Sequence, residues 1–299
     1  MTIFVAEFTT NHMGNLNLLF EMAKEAKKAG ADYIKMQKKD VETFYSQEKL
    51  NSEYISPFGK TYREYRKIFE FSRDDFHRFD LKCKELGIKW FTTIQDVNSM
   101  FEMLEFDLPM YKVASCNANN KEFLAAIKNN ISKDKTLVIS VAGRTIKEIE
   151  NIINQFSGYN LYILHCVAEY PCLPQNLRLG NIVRLKKEFE SENVKIGYSG
   201  HETGIFPSLA AIDMGASIIE RHFCKSRNSF VHHIECSLEP SEYKELIDLS
   251  KKNNLKDLYE PYLPPIAYRE HFGMSEIESE FLVKNHYGNT FLHHKDSCF

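Results

Sequence analysis

Short apolar runs alternate with longer amphipathic ones along most of the chain. Runs at 3–8, 33–37, 89–93, 111–114, 136–140, 161–165, 195–198 and 217–220 are brief and mostly rich in Val, Ile, Phe or Tyr, a pattern that predicts strands. Between and after them, segments 16–29, 73–86, 98–105, 122–129, 146–155, 182–190, 206–214 and 241–252 read as helices. Gly30 follows a last turn carrying Lys27 and Lys28, where a left-handed residue closes a helix at little steric cost. Ser72 precedes Asp74 and Asp75, a hydroxyl cap followed by carboxylates that the helix dipole favours. Roughly eight strand–helix repeats predict parallel strands joined by right-handed crossovers. The expected fold is therefore α/β, a single-domain (β/α)8 TIM barrel over 1–253 with a short C-terminal extension over 254–299. A doubly wound open sheet is the alternative that periodicity leaves open. In a barrel, the C-terminal ends of the strands line one mouth, where the chemistry of such folds sits.

Two segments fall outside the repeat. Residues 38–71 form a long polar and aromatic insertion after the second strand, either a lid or a solvated decoration. The tail carries Pro261, Pro264 and Pro265 before a mixed segment. It reads as a helical extension, an oligomer contact or a partly disordered end.

Composition narrows the function class more than the fold. The 299 residues, 43% hydrophobic and 26% charged, are ample for a sizeable core. A net charge of −3 gives no footprint for nucleic acid or an anionic membrane, so an anionic substrate must be met by local positive groups. Seven cysteines are scattered without a CxxC pair, which argues against secreted disulfides and a thiolate zinc site. The N-terminus lacks the pattern of a signal peptide, and no apolar run approaches a membrane span. The default location is cytoplasmic.

Placed at the predicted strand ends, the polar residues form a set. Glu7 closes the first strand, followed by Thr9, Thr10, Asn11 and His12; Lys35 and Gln37 close the second, Thr92 and Thr93 the third. Lys112 and Ser115 follow on the fourth, Ser140 on the fifth and His165 on the sixth. Ser199 and His201 end the seventh, Glu220 and His222 the eighth. Two lysines among hydroxyls suit a ligand with phosphate and carboxylate groups. Two imidazoles from adjacent strand ends, with a carboxylate opposite, suit a divalent metal; oxygen-rich surroundings favour Mn2+ or Mg2+ over structural zinc. Singly, each has a bland reading: a solvated rim lysine, a half-buried histidine, a Glu220–Arg221 ion pair. Their joint placement at strand ends favours the functional one. Cys116, Cys166 and Cys224 read as packing residues, with a small remaining case for Cys166 beside His165. His232 and His233 would point opposite ways on an extended segment, so at most one should face the mouth.

These strings resemble the N-acetylneuraminate (sialic acid) synthase family with its legionaminate, pseudaminate and spore-coat relatives, over about the first 250 residues. The segments are Ala6-Glu7 with Asn11-His12 and Gly14; Gly30-Ala31-Asp32 with Lys35 and Gln37; Tyr111 to Ser115; Leu164-His165-Cys166 with Tyr170-Pro171; Gly197 to His201; and Gly215-Ala216 with Ile219 to Phe223. The resemblance implies a barrel that condenses phosphoenolpyruvate with a 2-acetamido aldose such as N-acetylmannosamine. It implies that His201 and His222 hold the divalent ion. Lys35, Thr93, Lys112, Ser115, Ser140 and Ser199 would hold the phosphate and carboxylate of phosphoenolpyruvate. Glu7 would handle a proton or orient water, Lys112 would act in the chemistry, and Gln37 and Tyr170 would contact the acceptor. A homodimer is the implied assembly.

The departures concern the acceptor. The family's usual C-terminal antifreeze-like domain is not expected in this chain, whose tail does not resemble it. Gly200 stands where an aspartate is common, Ala168 where an asparagine can occur, and His233 near a frequent aspartate. Val141 to Arg144 replace a small-residue turn. A shorter branch of the family with a similar Ser-Gly-His-Glu string is the nearest match. Two rival readings follow: a 3-deoxy-ulosonate synthase using a non-acetylated or phosphorylated aldose, and a non-catalytic paralogue that binds ligand. Cys116 and Asn117 after Ser115 offer no clear second phosphate site, which speaks against phosphorylated acceptors.

Overall fold

Each apolar run singled out by its spacing forms a strand in the computed structural model, which describes residues 2–280 and 282. The strands are β1 (Ile3–Glu7), β2 (Tyr33–Lys38), β3 (Glu53–Ser56), β4 (Gly59–Thr61), β5 (Lys89–Ile94), β6 (Met110–Val113), β7 (Thr136–Ser140), β8 (Asn160–His165), β9 (Val194–Gly200) and β10 (Ile218–His222). Eight of them close a parallel barrel in the order β1-β2-β5-β6-β7-β8-β9-β10, and β10 pairs back onto β1. The short β3–β4 hairpin stands outside it. The closed barrel settles the choice that periodicity left open against an open sheet.

Strand alternation splits each barrel strand into an inward and an outward set. Val5, Phe91, Met110, Val138, Leu164 and Ile218 form their own apolar cluster, the floor of the lumen. Two residues further along the same strands the inward positions turn polar: Glu7, Thr93, Lys112, Ser140 and Glu220. Gly197 belongs to the floor. A Cβ there would lie 2.3 Å from Ile218 Cγ2 and 2.6 Å from Leu164 Cδ2, so the position is full without one. β9 and β10 run further than their apolar runs suggest, to Gly200 and His222, so Ser199 and His222 sit within strands and not beyond them.

The outer helices follow their sequence signals. Helix Leu16–Ala29 buries Leu19, Met22, Ala23, Ala26 and Ala29, a single stripe at helical spacing. Gly30 closes it at φ 99°. Ser72 caps helix Arg73–Leu86 in a reciprocal box with Asp75.

The insertion is folded. Helices Val41–Phe44, Gln47–Asn51 and Tyr62–Ile68 join the hairpin around Val41, Phe44, Tyr45, Leu50, Tyr62, Tyr65 and Phe69. A solvated decoration would not bury seven such side chains. Beyond helix Pro240–Leu249 the chain packs back on the barrel: the Leu179 N–H donates to Ala267 O at 2.8 Å, and Arg178 pairs with Glu278 at 3.0 Å in a buried contact. This path brings Leu282 to the barrel mouth. Residues 283–299 of the expected extension lie outside the described residues. Among the described residues no helix is long and apolar enough to cross a membrane.

The packed floor makes a direct prediction. Gly197→Ala should destabilise the fold by about 1–3 kcal/mol through overpacking, read as a lower urea midpoint. An unchanged midpoint would contradict a filled lumen.

Candidate active site

The polar layer above the floor is built around two buried ammonium groups. Lys35 Nζ lies 2.7 Å from Glu7 Oε2, 2.6 Å from Thr93 Oγ1 and 3.6 Å from Glu220 Oε1. Lys112 Nζ lies 2.9 Å from Glu220 Oε2. Ser199 Oγ donates to Glu220 Oε1 at 3.0 Å, and Gln37 Nε2 to Glu7 Oε1 at 2.7 Å. All four charged groups are at most 5% exposed. Two positive and two negative charges therefore compensate one another where water cannot, and removing one would leave another stranded at a cost of about 3–5 kcal/mol.

The two carboxylates are pushed apart. Burial raises the pKa of Glu7; the Lys35 ammonium opposes this and the Glu220 charge reinforces it. Burial also pushes Glu220 up, but Lys112 and Lys35 outweigh it and hold it below the ordinary carboxylate range. Glu7 is thus the carboxyl able to carry a proton, while Glu220 stays ionised between the lysines. Lys112 is shifted down, first by burial.

Hydroxyls and imidazoles complete the mouth. Ser115 Oγ accepts from the Ala142 N–H at 3.0 Å and lies 3.2 Å from Cys166 Sγ. Burial pushes the Cys166 thiol up, which disfavours a nucleophilic thiolate. Ser140 and Tyr170 line the same cavity of about 360 Å³, within the range of small-molecule sites. His201 Nδ1 lies 2.7 Å from Val167 O, so Nδ1 carries the hydrogen and Nε2 keeps its lone pair. His222 Nδ1 lies 3.6 Å from Cys236 Sγ, and the two rings are 5.4 Å apart. Burial holds both imidazoles neutral, His201 down to about 4, and the neutral form is the ligating one. Among the described residues no group of three or more His, Cys, Asp or Glu could hold a metal ion. The donor set fits a divalent cation gripped at two points, with water and substrate oxygens filling the rest, as oxygen-loving ions accept.

All eleven residues that the family resemblance assigns to the site, Glu7, Lys35, Gln37, Thr93, Lys112, Ser115, Ser140, Tyr170, Ser199, His201 and His222, line this one cavity. Other expectations need correction. His165 faces outward by strand parity, and its Nε2 bonds Leu177 O at 2.8 Å, a satisfied core histidine. Glu220 does not pair with Arg221. Arg221 points to the opposite face and pairs with Glu202 at 2.8 Å. His232 and His233 both line the cavity, because His233 adopts φ 63° and the segment turns there. His232 Nε2 lies 2.7 Å from Tyr54 Oη, and the His233 ring 4.2 Å from that of Tyr170. Gly200 has a physical reason: a Cβ there would meet both carboxylate oxygens of Glu202 within 2.7 Å. An aspartate cannot occupy that position while Glu202 fills the space.

Glu220 stood in the strand-end set, and its place between the lysines follows from the inward face of β10 that it shares with Ile218 and His222. Lys39 and Arg66 escaped the sequence reading. They lie in the insertion, which folds back so that both line the cavity, each 7% exposed.

Comparison with known proteins agrees with this geometry. Residues 22–256 match the model of the NeuB family. The chain is 35% identical over 280 residues to the N-acetylneuraminate-9-phosphate synthase of Drosophila melanogaster, covering 92% of this chain and 73% of that protein. It is 30% identical to the N,N'-diacetyllegionaminic acid synthase of Legionella pneumophila over 83% of this chain and 71% of that one. Among solved structures, the N-acetylneuraminic acid (sialic acid) synthetase of Leptospira borgpetersenii superposes with a TM-score of 0.72 at 29% identity, covering 88% of this chain and 87% of that one.

The buried cations of the insertion generate a pH prediction. Lys39 is held down from 10.5 to about 8, first by burial and then by the Arg66 charge. The folded state therefore binds this proton less tightly than the unfolded chain. The cost is complete below about 8, fades between about 8 and 10.5, and vanishes above. Lys39→Met should raise the urea midpoint at neutral pH, by roughly 3 kcal/mol at most, and the gain should shrink as pH approaches 10.5. A lower midpoint at neutral pH would refute an uncompensated charge.

Proposed function

The chain belongs to the NeuB family, and from that premise we propose that it condenses phosphoenolpyruvate with an N-acetylmannosamine-like aldose, giving a nonulosonic (sialic-acid-type) sugar acid and phosphate. The observation that carries the reading is the buried pair Lys35 and Lys112, ringed by Thr93, Ser115, Ser140 and Ser199 and facing His201 and His222 in one cavity.

The chemistry needs these groups. The methylene carbon of phosphoenolpyruvate attacks the aldehyde carbon; a carbon–carbon bond forms as the carbonyl π pair moves onto oxygen, which takes up a proton to become the hydroxyl of the product. Positive charge develops at the carbon bearing phosphate, and water adds there with loss of a proton. The resulting tetrahedral centre expels inorganic phosphate and leaves the keto acid. Lys35 and Lys112 hold the phosphate and carboxylate as point charges, and the hydroxyls supply direction. Glu220 keeps both ammonium groups in position. Glu7, with its raised pKa, takes up the proton of the added water. Gln37, already hydrogen-bonded to Glu7, and Tyr170, whose ring lies 4.1 Å from that of His201, contact the acceptor. A divalent cation, Mn2+ or Mg2+, held by His201 and His222 would supply Lewis acidity at the acceptor's carbonyl oxygen.

Phosphate release from phosphoenolpyruvate and N-acetylmannosamine in the presence of Mn2+ tests the reading. Turnover should stop with a chelator and return with metal. Lys112→Ala and His201→Ala should each lower kcat/KM by at least about a hundredfold. Either variant turning over at the wild-type rate would sink the assignment.

A further inference from the structure

The cavity holds two further buried cations that the proposed chemistry does not use. The Lys39 ammonium and the Arg66 guanidinium come from the insertion and line the same space as Lys35 and Lys112. Among the described residues neither has a carboxylate within 4.0 Å, whereas Lys35 and Lys112 are both ion-paired. Glu70 accepts from the Lys39 backbone N–H at 3.2 Å and does not pair with either side chain. Lys39 Nζ has only Tyr45 Oη, at 3.4 Å, and the rings of Phe44 and Tyr45, at 5.0 and 5.6 Å. The Arg66 guanidinium sits 5.6 Å from the Tyr45 ring and 5.9 Å from the Tyr65 ring, and its buried Nε has no partner. Two neighbouring cations at 7% exposure, with Glu70 acting on them only from beyond ion-pair distance, are costly to keep. An anion entering the cavity removes that cost.

We propose that Lys39 and Arg66 form a second anion site, which takes the phosphomonoester of a phosphorylated aldose acceptor at the end remote from its aldehyde. This deepens the synthase reading and rests on it for the identity of the aldose. Phosphoenolpyruvate takes Lys35 and Lys112 at the polar layer just above the apolar floor, so the acceptor's aldehyde must point there. Its far end then reaches the insertion over the mouth. A phosphate dianion matches the charge of one ammonium and one guanidinium, and the planar guanidinium can grip two of its oxygens. Cys116 and Asn117 after Ser115 offer no clear second phosphate site. The structure supplies the cations from a different segment.

Calorimetric titration of the full chain, without phosphoenolpyruvate, with N-acetylmannosamine 6-phosphate and with N-acetylmannosamine decides the matter. Wild-type protein should bind the phosphorylated sugar at least about tenfold more tightly. That gap should collapse in K39Q and R66Q and persist in R66K, with circular dichroism confirming each fold; should R66Q not fold, K39Q decides. Equal affinities in the wild type, or a gap that survives both glutamine substitutions, would overturn the site. A wild-type gap that collapses in K39Q and R66Q, with no phosphate released from phosphoenolpyruvate in the presence of either sugar, would remove the synthase reading and leave the anion site standing.

Discussion

Mutual neutralisation of two lysines and two glutamates is the constraint on which the mouth of the barrel depends. Lys35, Lys112, Glu7 and Glu220 are nearly sealed from water, and each is tolerable only because the others are in place. The same contacts divide the carboxylates into two kinds. Glu220, between two ammonium groups, is locked in its ionised form. Glu7 shares only Lys35 and feels the charge of Glu220, so its proton is available for exchange. A single network therefore stabilises the site and separates a structural carboxylate from a proton-handling one.

The barrel puts this network where it is. Strand parity sends Val5, Phe91, Met110, Val138, Leu164 and Ile218 into the floor and Glu7, Lys35, Thr93, Lys112 and Glu220 into the layer above. Closure brings residues far apart in the chain into register: Glu7 lies opposite both Lys35 and His222, and Glu220 opposite Ser199. The apolar floor excludes water from below, which raises the strength of every charge contact above it.

The insertion shows the opposite economy. Its aromatic core holds Lys39 and Arg66 against the cavity with no carboxylate in contact, Glu70 acting only at longer range, so keeping Lys39 charged carries a cost that other residues offset. Uncompensated charge at a cavity wall is a common signature of a binding site, where stability is given up for affinity. The contrast between paired lysines on the barrel and unpaired cations on the insertion separates the two anion positions within one cavity.

Local periodicity was enough to determine the eight barrel strands, the helix ends at Gly30 and Ser72, and the polar residues at the strand ends, because alternation and capping act over a few residues. Together with the ordered strand-end strings, they also identified the family. Only the tertiary structure decided what depends on contacts between distant segments. Periodicity could not choose between a closed barrel and an open sheet, since both use the same repeats. His165 and His222 look alike at their strand ends, and register alone sends one into the helix layer and the other into the cavity. The turn at His233 reverses an expectation based on extended backbone. Lys39 and Arg66 carry no local signal of function, because their position over the mouth depends on how the aromatic core of 38–71 folds back against the barrel.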